Sequence, residues 1–162
     1  MAYAVVRTDN LTGTYNGAFL ISGHFYDGNN KAEIENGALV SIGALDGERG
    51  VYKCVAPTAK QPLGKLGLVA TPEIIYDNNR FRNLDDYINE AGKEIRVYIL
   101  HSNDVFSITA EGLDAAPTAS TLGIEVVAGT KPKCATALTN AVAEYLGSDT
   151  ENGYTYYKFR VI

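Results

Sequence analysis

The chain is 162 residues long, 46% apolar and 20% charged, the size and balance of one globular domain with a core of its own. A formal charge of −5, with no run of Lys or Arg, argues against a nucleic-acid binder, and no apolar stretch approaches the length of a membrane span. Eleven Tyr and five Phe against no Trp, together with sixteen Gly, favour half-buried strands and turns over long helices.

The opening "MAYAVVRTDN" lacks the basic start and long apolar core of a secretory signal, so synthesis and assembly in the cytoplasm are expected. "NLT" at Asn10–Thr12 fits a glycosylation acceptor, which carries no meaning without secretion. Across 1–35, short apolar snatches alternate with Asn, Gly, Asp and Thr, and only "YAVVR" and "AFLIS" suit strands. The pattern predicts an N-terminal arm or irregular subdomain over 1–35, followed by a single mainly-β domain over 36–162.

In that domain "ALVSIGAL", "VYKCVA", "LGLVAT" and "EIIY" read as strands, with "DGERG" and "DNNRFRN" as turns and "APTAKQPLGK" as a loop. "LDDYINEAG" suits a turn or two of helix, capped by Asn83, favoured by Asp85 and Asp86 and ended by Gly92. "IRVYIL", "HSND" and "VFSIT" then read as a hairpin with a polar four-residue loop. Further on, "LGIEVVAG" and "KPKCATAL" follow a second loop. "NAVAEYLGSD" fits a strand or a short helix, with strand favoured because "GSDTENG" then makes a return turn. "YTYYKFRVI" closes the chain as a strand. The fold class expected is mainly β, a small barrel or sandwich with an irregular N-terminal arm and at most one or two short helices.

Chemistry is harder to find. His24, His101, Cys54 and Cys134 are widely spaced, without a short-spaced pair that would suggest a zinc site. "PLGKLG" lacks the spacing of a phosphate loop, and no Gly-x-Ser-x-Gly elbow occurs. Asp85 and Asp86 are adjacent and diverge on a helix, and Glu90 and Glu94 flank Gly92, so capping and solvation explain these carboxylates better than a catalytic pair does. Asp104 and His101 read as residues of a hairpin loop. No catalytic residues, metal ligands or cofactor are assigned, and the chain is not read as an enzyme. Both thiols are expected to be reduced and buried.

The blocks "MAYAVVRTDNLTGT", "IENGALVSIGALDGERGVYKCVAP", "GLVATPEIIYD" and "LDDYINEAGKEIRVYILHSNDVFSIT" resemble, in order, a family of tailed-phage and prophage capsid-associated proteins, described as head-decoration or head-fibre-like structural proteins. The resemblance covers residues 1 to about 110; the final third matches only in kind. It implies an accessory protein on the outside of an assembled capsid shell, made in the host cytoplasm. The implied partners are the major capsid protein and copies of the chain itself, as a homo-oligomer and by the resemblance a trimer, with no nucleic acid or membrane. A second class stays open: a β-barrel binding module that contacts carbohydrate or a cell surface through Tyr-rich strands.

The arm is expected to make the main contact by adding strands to a sheet edge of the shell or of a neighbouring subunit. Val5, Val6, Phe19, Leu20 and Ile21 would be its buried anchors, with Arg7 and Asp9 as a polar rim. The competing expectation is that this segment completes the protein's own barrel.

Overall fold

The period-two patterns of the sequence resolve into two separate cores, one inside a barrel and one between that barrel and a second sheet. The computed structural model describes residues 2–47, 50–75 and 83–162. Its strands are β1 (Val6–Asn10), β2 (Leu20–Asp27), β3 (Asn30–Lys31), β4 (Leu39–Leu45), β5 (Val51–Val55), β6 (Leu66–Val69), β7 (Ile95–Ile99), β8 (Val105–Ile108), β9 (Gly123–Glu125), β10 (Lys133–Ala135), β11 (Ala143–Glu151) and β12 (Tyr154–Val161). The protein is mainly β, and helix among the described residues is limited to one α-turn, α1 (Thr12–Tyr15), and a few 3-10 turns.

Strands β2, β5, β4, β6 and β7 pair in that order, and β7 returns to β2, so the sheet closes into a five-stranded barrel with β3 attached to the end of β2. Every rung of the barrel is antiparallel except β2–β5, where Ser22 to Tyr26 run alongside Val51 to Val55. A closed barrel this small has room only for side chains. Phe25, Val40, Cys54, Val69, Ile95 and Val97 fill it. Two inward positions are glycine because nothing larger fits: a Cβ at Gly67 would stand 2.2 Å from Val97, and one at Gly23 would stand 2.7 Å from the Cys54 sulfur.

The second sheet is antiparallel, in the order β1-β8-β12-β11-β9-β10. Its inner face presents Phe106, Ile108, Ile124, Phe159 and Val161, which pack on Leu39, Leu66, Leu68, Tyr98 and Leu100 from the outside of the barrel. Strand β7 therefore has apolar residues on both faces: Ile95 and Val97 turn into the barrel, Tyr98 and Leu100 towards the sheet.

Several expectations need correction. The "IRVYIL-HSND-VFSIT" segment is not a hairpin. β7 belongs to the barrel and β8 to the second sheet, and 101–104 crosses between the layers. The physical reason is that both faces of β7 and the inner face of β8 must be covered, which two layers achieve and a hairpin in one sheet does not. Nor are residues 1–35 a separate arm. β1 pairs with β8, and β2 is a stave of the barrel hydrogen-bonded on both sides, so the segment completes the protein's own sheets. "EIIY" forms no strand over its described residues 73–75, and 77–82 of the expected "DNNRFRN" turn and 48–49 of "DGERG" lie outside the described residues. "LDDYINEAG" keeps only a 3-10 turn at Leu84–Asp86. Asn83 takes the N-cap position there as expected, and Asp86 answers it in a capping box, its carboxylate accepting the Asn83 N–H at 2.9 Å.

Candidate functional site

Of the seven residues expected to form a contact, four are built into the protein itself. Val5 is buried; Val6 and Leu20 pack against the inter-layer core and Ile21 against the barrel core. Phe19 is half-buried and sets its ring edge-on to His101, centroids 4.0 Å apart. These apolar groups pack within the chain itself, Val5 fully and the other four in part. The polar pair behaves differently. Arg7 and Asp9 lie on the outer face of the second sheet, away from both cores.

That outer face carries a connected cluster of polar groups. Alternation along β12 points Tyr156 and Lys158 outward while Tyr157 and Phe159 face the core. The guanidinium of Arg7 lies 2.7 Å from Glu151, 3.7 Å from Asp9 and 4.0 Å from Asp149, and sits 5.5 Å over the Tyr156 ring. A shallow pocket of about 90 Å³ lies among Arg7, Asp9, Ser107, Asp149 and Lys158. Burial raises the Tyr156 phenol above its ordinary pKa, and Arg7 opposes the shift. The neighbouring Tyr154 donates its hydroxyl to Asp85 at 3.0 Å, and its pKa is raised by burial and then by that bond. Asp85, in the first turn of the 3-10 helix at Leu84–Asp86, thus also ties that connector to the β12 strand.

A second concavity, an open groove of about 640 Å³, lies between the chain at 71–75 and that at 86–94. Its foundation is a buried amide pair. Asn36 donates to the Thr71 carbonyl and accepts the Thr71 N–H at 3.0 Å; Asn89 donates to Asn36 Oδ1 at 3.0 Å and to the Ile34 carbonyl at 2.9 Å. Each amide is satisfied, so this network fixes backbone and offers no free donor to a ligand. Asp86, Glu90, Lys93 and Glu94 line the groove, with Lys93 and Glu90 bonded to each other.

Sequence reasoning missed a third cluster, on the barrel's outer wall. His24 and Tyr26 alternate along β2, and both reach Asp46 Oδ2, His24 Nδ1 at 2.9 Å and the Tyr26 hydroxyl at 2.8 Å. The two hydrogen bonds hold the Asp46 carboxyl below its ordinary range, and Lys31 and Lys53 add to the effect. The signal available was the i, i+2 spacing of His24 and Tyr26, but their partner lies 22 positions away from His24 and is invisible to local patterning.

Cys54 is buried in the barrel and its thiol is pushed up to about 12 by that burial. Cys134 is half-buried on β10, which corrects the expectation that both would be enclosed. Among the described residues no three His, Cys, Asp or Glu side chains converge as metal ligands, and no helix is long and apolar enough to cross a membrane. Compared with known proteins, the chain matches no family model, no curated protein and no solved structure.

Proposed function

We propose that the chain is an accessory protein of a tailed-phage capsid, binding the outside of the assembled shell through its surface and performing no catalysis. In this reading its partners are the major capsid protein and further copies of itself, as a trimer, and it resides on the virion surface after synthesis in the host cytoplasm.

The observation that carries the reading is the resemblance of the ordered blocks quoted above. Within the fold those blocks supply β4, β5, β6 and β7, four of the five barrel staves, and β8 at the junction with the second sheet. The distribution of chemistry supports it further. The barrel interior is filled by side chains, whereas the polar groups gather on outer faces, around Arg7 and around Asp46. The carbohydrate-binding alternative draws no comparable support from the closing strand. Tyr156 is buried, so its ring does not lie open for a sugar to stack on, and the hydroxyl of the half-buried Tyr154 is already held by Asp85.

Co-sedimentation tests the proposal. Shells assembled from the major capsid protein encoded beside this chain should bind it saturably at a fixed ratio per subunit. Replacing Arg7 and Lys158 with Glu should weaken that binding while leaving the fold intact. Failure to sediment with the shells, combined with retention on a glycan array, would favour the alternative.

A further inference from the structure

The distal part of the β11–β12 hairpin is a two-stranded ribbon with an unused edge. Strand β11 pairs with β9 only at Ala143 and Glu144, and the Tyr145 N–H to the Leu122 carbonyl, at 2.8 Å, is the last rung. Beyond it a turn at Thr118–Thr121 leads the chain away. From Leu146 to Glu151, β11 has β12 on one side and no strand on the other among the described residues. The ribbon is well ordered by its own chemistry. Asn152 and Gly153 have φ of 52° and 82°, the two-residue turn that suits a hairpin's twist, and they place Glu151 opposite Tyr154.

In such a hairpin the pair flanking the turn exchanges hydrogen bonds, so Ser148 and Thr150 direct their backbone groups away from β12. The Thr150 N–H bears this out by donating sideways to the Asp149 carboxylate at 2.8 Å. The edge is guarded by that carboxylate, by Glu151 and by the irregularity between Tyr145 and Gly147, devices that keep edges from pairing at random. Both guarding charges are acidic, and the single Arg7 guanidinium of the outer face, 2.7 Å from Glu151 and 4.0 Å from Asp149, offsets only one of them, so the edge stays net negative. Two copies of the edge laid antiparallel along the ribbon would set Asp149 opposite Asp149 or opposite Glu151, which like-charge repulsion opposes.

We propose that the Leu146–Glu151 edge is a docking site for an extended strand of another protein, with Lys or Arg opposite Asp149 and Glu151 and apolar or β-branched residues between them. Cross-strand pairing supplies the charge preference. Leu122 and Leu146, 50% and 46% exposed where β9 leaves β11, supply apolar contact on the strand's flank. The incoming strand continues the sheet past the point where β9 stops, and its backbone takes the Thr150 N–H over from Asp149. The inference does not depend on the capsid reading.

The test uses the full chain and three blocked seven-residue peptides: alternating lysine and valine, the same with N-methyl groups along one edge, and alternating glutamate and valine. Amide exchange followed by NMR should show the Ser148 and Thr150 amides slowed about tenfold or more by the lysine peptide alone. Thr150→Pro removes an outward N–H at an edge position and should abolish the effect, with the barrel amides unshifted as the check on folding. Reversing the charges with Asp149→Lys and Glu151→Lys should transfer binding to the glutamate peptide. Equal binding of the N-methylated peptide, unchanged exchange at Ser148 and Thr150, or perturbation centred on the Asp86–Glu94 groove would each overturn the proposal.

Discussion

Asp104 and Thr12 are joined across 92 positions of sequence: one carboxylate oxygen accepts both the Thr12 N–H, at 3.0 Å, and the Thr12 hydroxyl. The other accepts the His101 N–H at 2.9 Å, and the Asp104 backbone binds Val161. The buried side chain therefore pins α1 to the crossing from barrel to sheet, and the backbone carbonyl of the same residue holds the last strand. Asp104→Ala strands two backbone donors and should cost about 3 kcal/mol in urea unfolding. Thr12→Val removes only the hydroxyl and should cost about 1 kcal/mol. Equal effects from the two variants would show that the carboxylate is not the shared anchor.

The contact between Gly67 and Val97 sets the barrel's bore. Gly67→Ala should destabilise the protein by about 1–3 kcal/mol through overpacking. Val97→Ala alone opens a cavity and is also destabilising. In the double variant the new methyl group occupies part of the space vacated, so the two changes should be less harmful together than their sum, by about 1 kcal/mol or more. Simple additivity in the unfolding free energies would contradict the packing described.

The two thiols should differ in reactivity. At pH 8 a thiol reagent should label Cys134 in the native protein and leave Cys54 untouched, because burial holds the Cys54 thiol at about 12 and denies access. Unfolding without reductant should release both. Mass spectrometry of the labelled peptides distinguishes the sites, and fewer than two free thiols in denaturant would contradict the structure.

Asp46 should contribute a pH-dependent part of the stability. Its folded pKa lies below the ordinary aspartate value, so its contribution is complete above that ordinary value and is lost as pH falls through the lowered one. The stability difference between the wild type and Asp46→Asn should therefore be present above the ordinary aspartate value and shrink on acidification through and below about pH 4. A difference that grew towards low pH would reverse the sign and refute the assignment.

The strands were legible in the sequence wherever alternation met a buried neighbour. β4, β5, β6, β7, β8 and β12 fall where "ALVSIGAL", "VYKCVA", "LGLVAT", "IRVYIL", "VFSIT" and "YTYYKFRVI" place them. Their pairing was not. A polar stretch such as "HSND" has the same local chemistry whether it turns within one sheet or crosses between two. The distinguishing signal was the burial of both faces of "IRVYIL", which a strand exposed on one side would not need. In the N-terminal segment, "YAVV" and "AFLI" are too short to announce a core, and they find their partners only through strands far along the chain. Of the expected contact residues, Arg7 and Asp9 fell on an exposed polar face because charge is a local property. Val5 and Leu20 did not, because what covers an apolar residue is decided by distant sequence.

The pairing of Val6 with Ile108, and of Leu20 with Tyr98, also sets a schedule. β1 is synthesised well before its partner β8, and β2 well before β7. At about 5–20 residues per second, β1 waits roughly 5–20 seconds for β8 to be made. Through that interval β1 has no native strand to join, and β2, which β5 can pair earlier, still awaits β7 to close the barrel; such non-local closures fold in milliseconds to seconds, not microseconds. The nascent chain, more than the finished molecule, is where this protein is open to misassociation and to capture by chaperones.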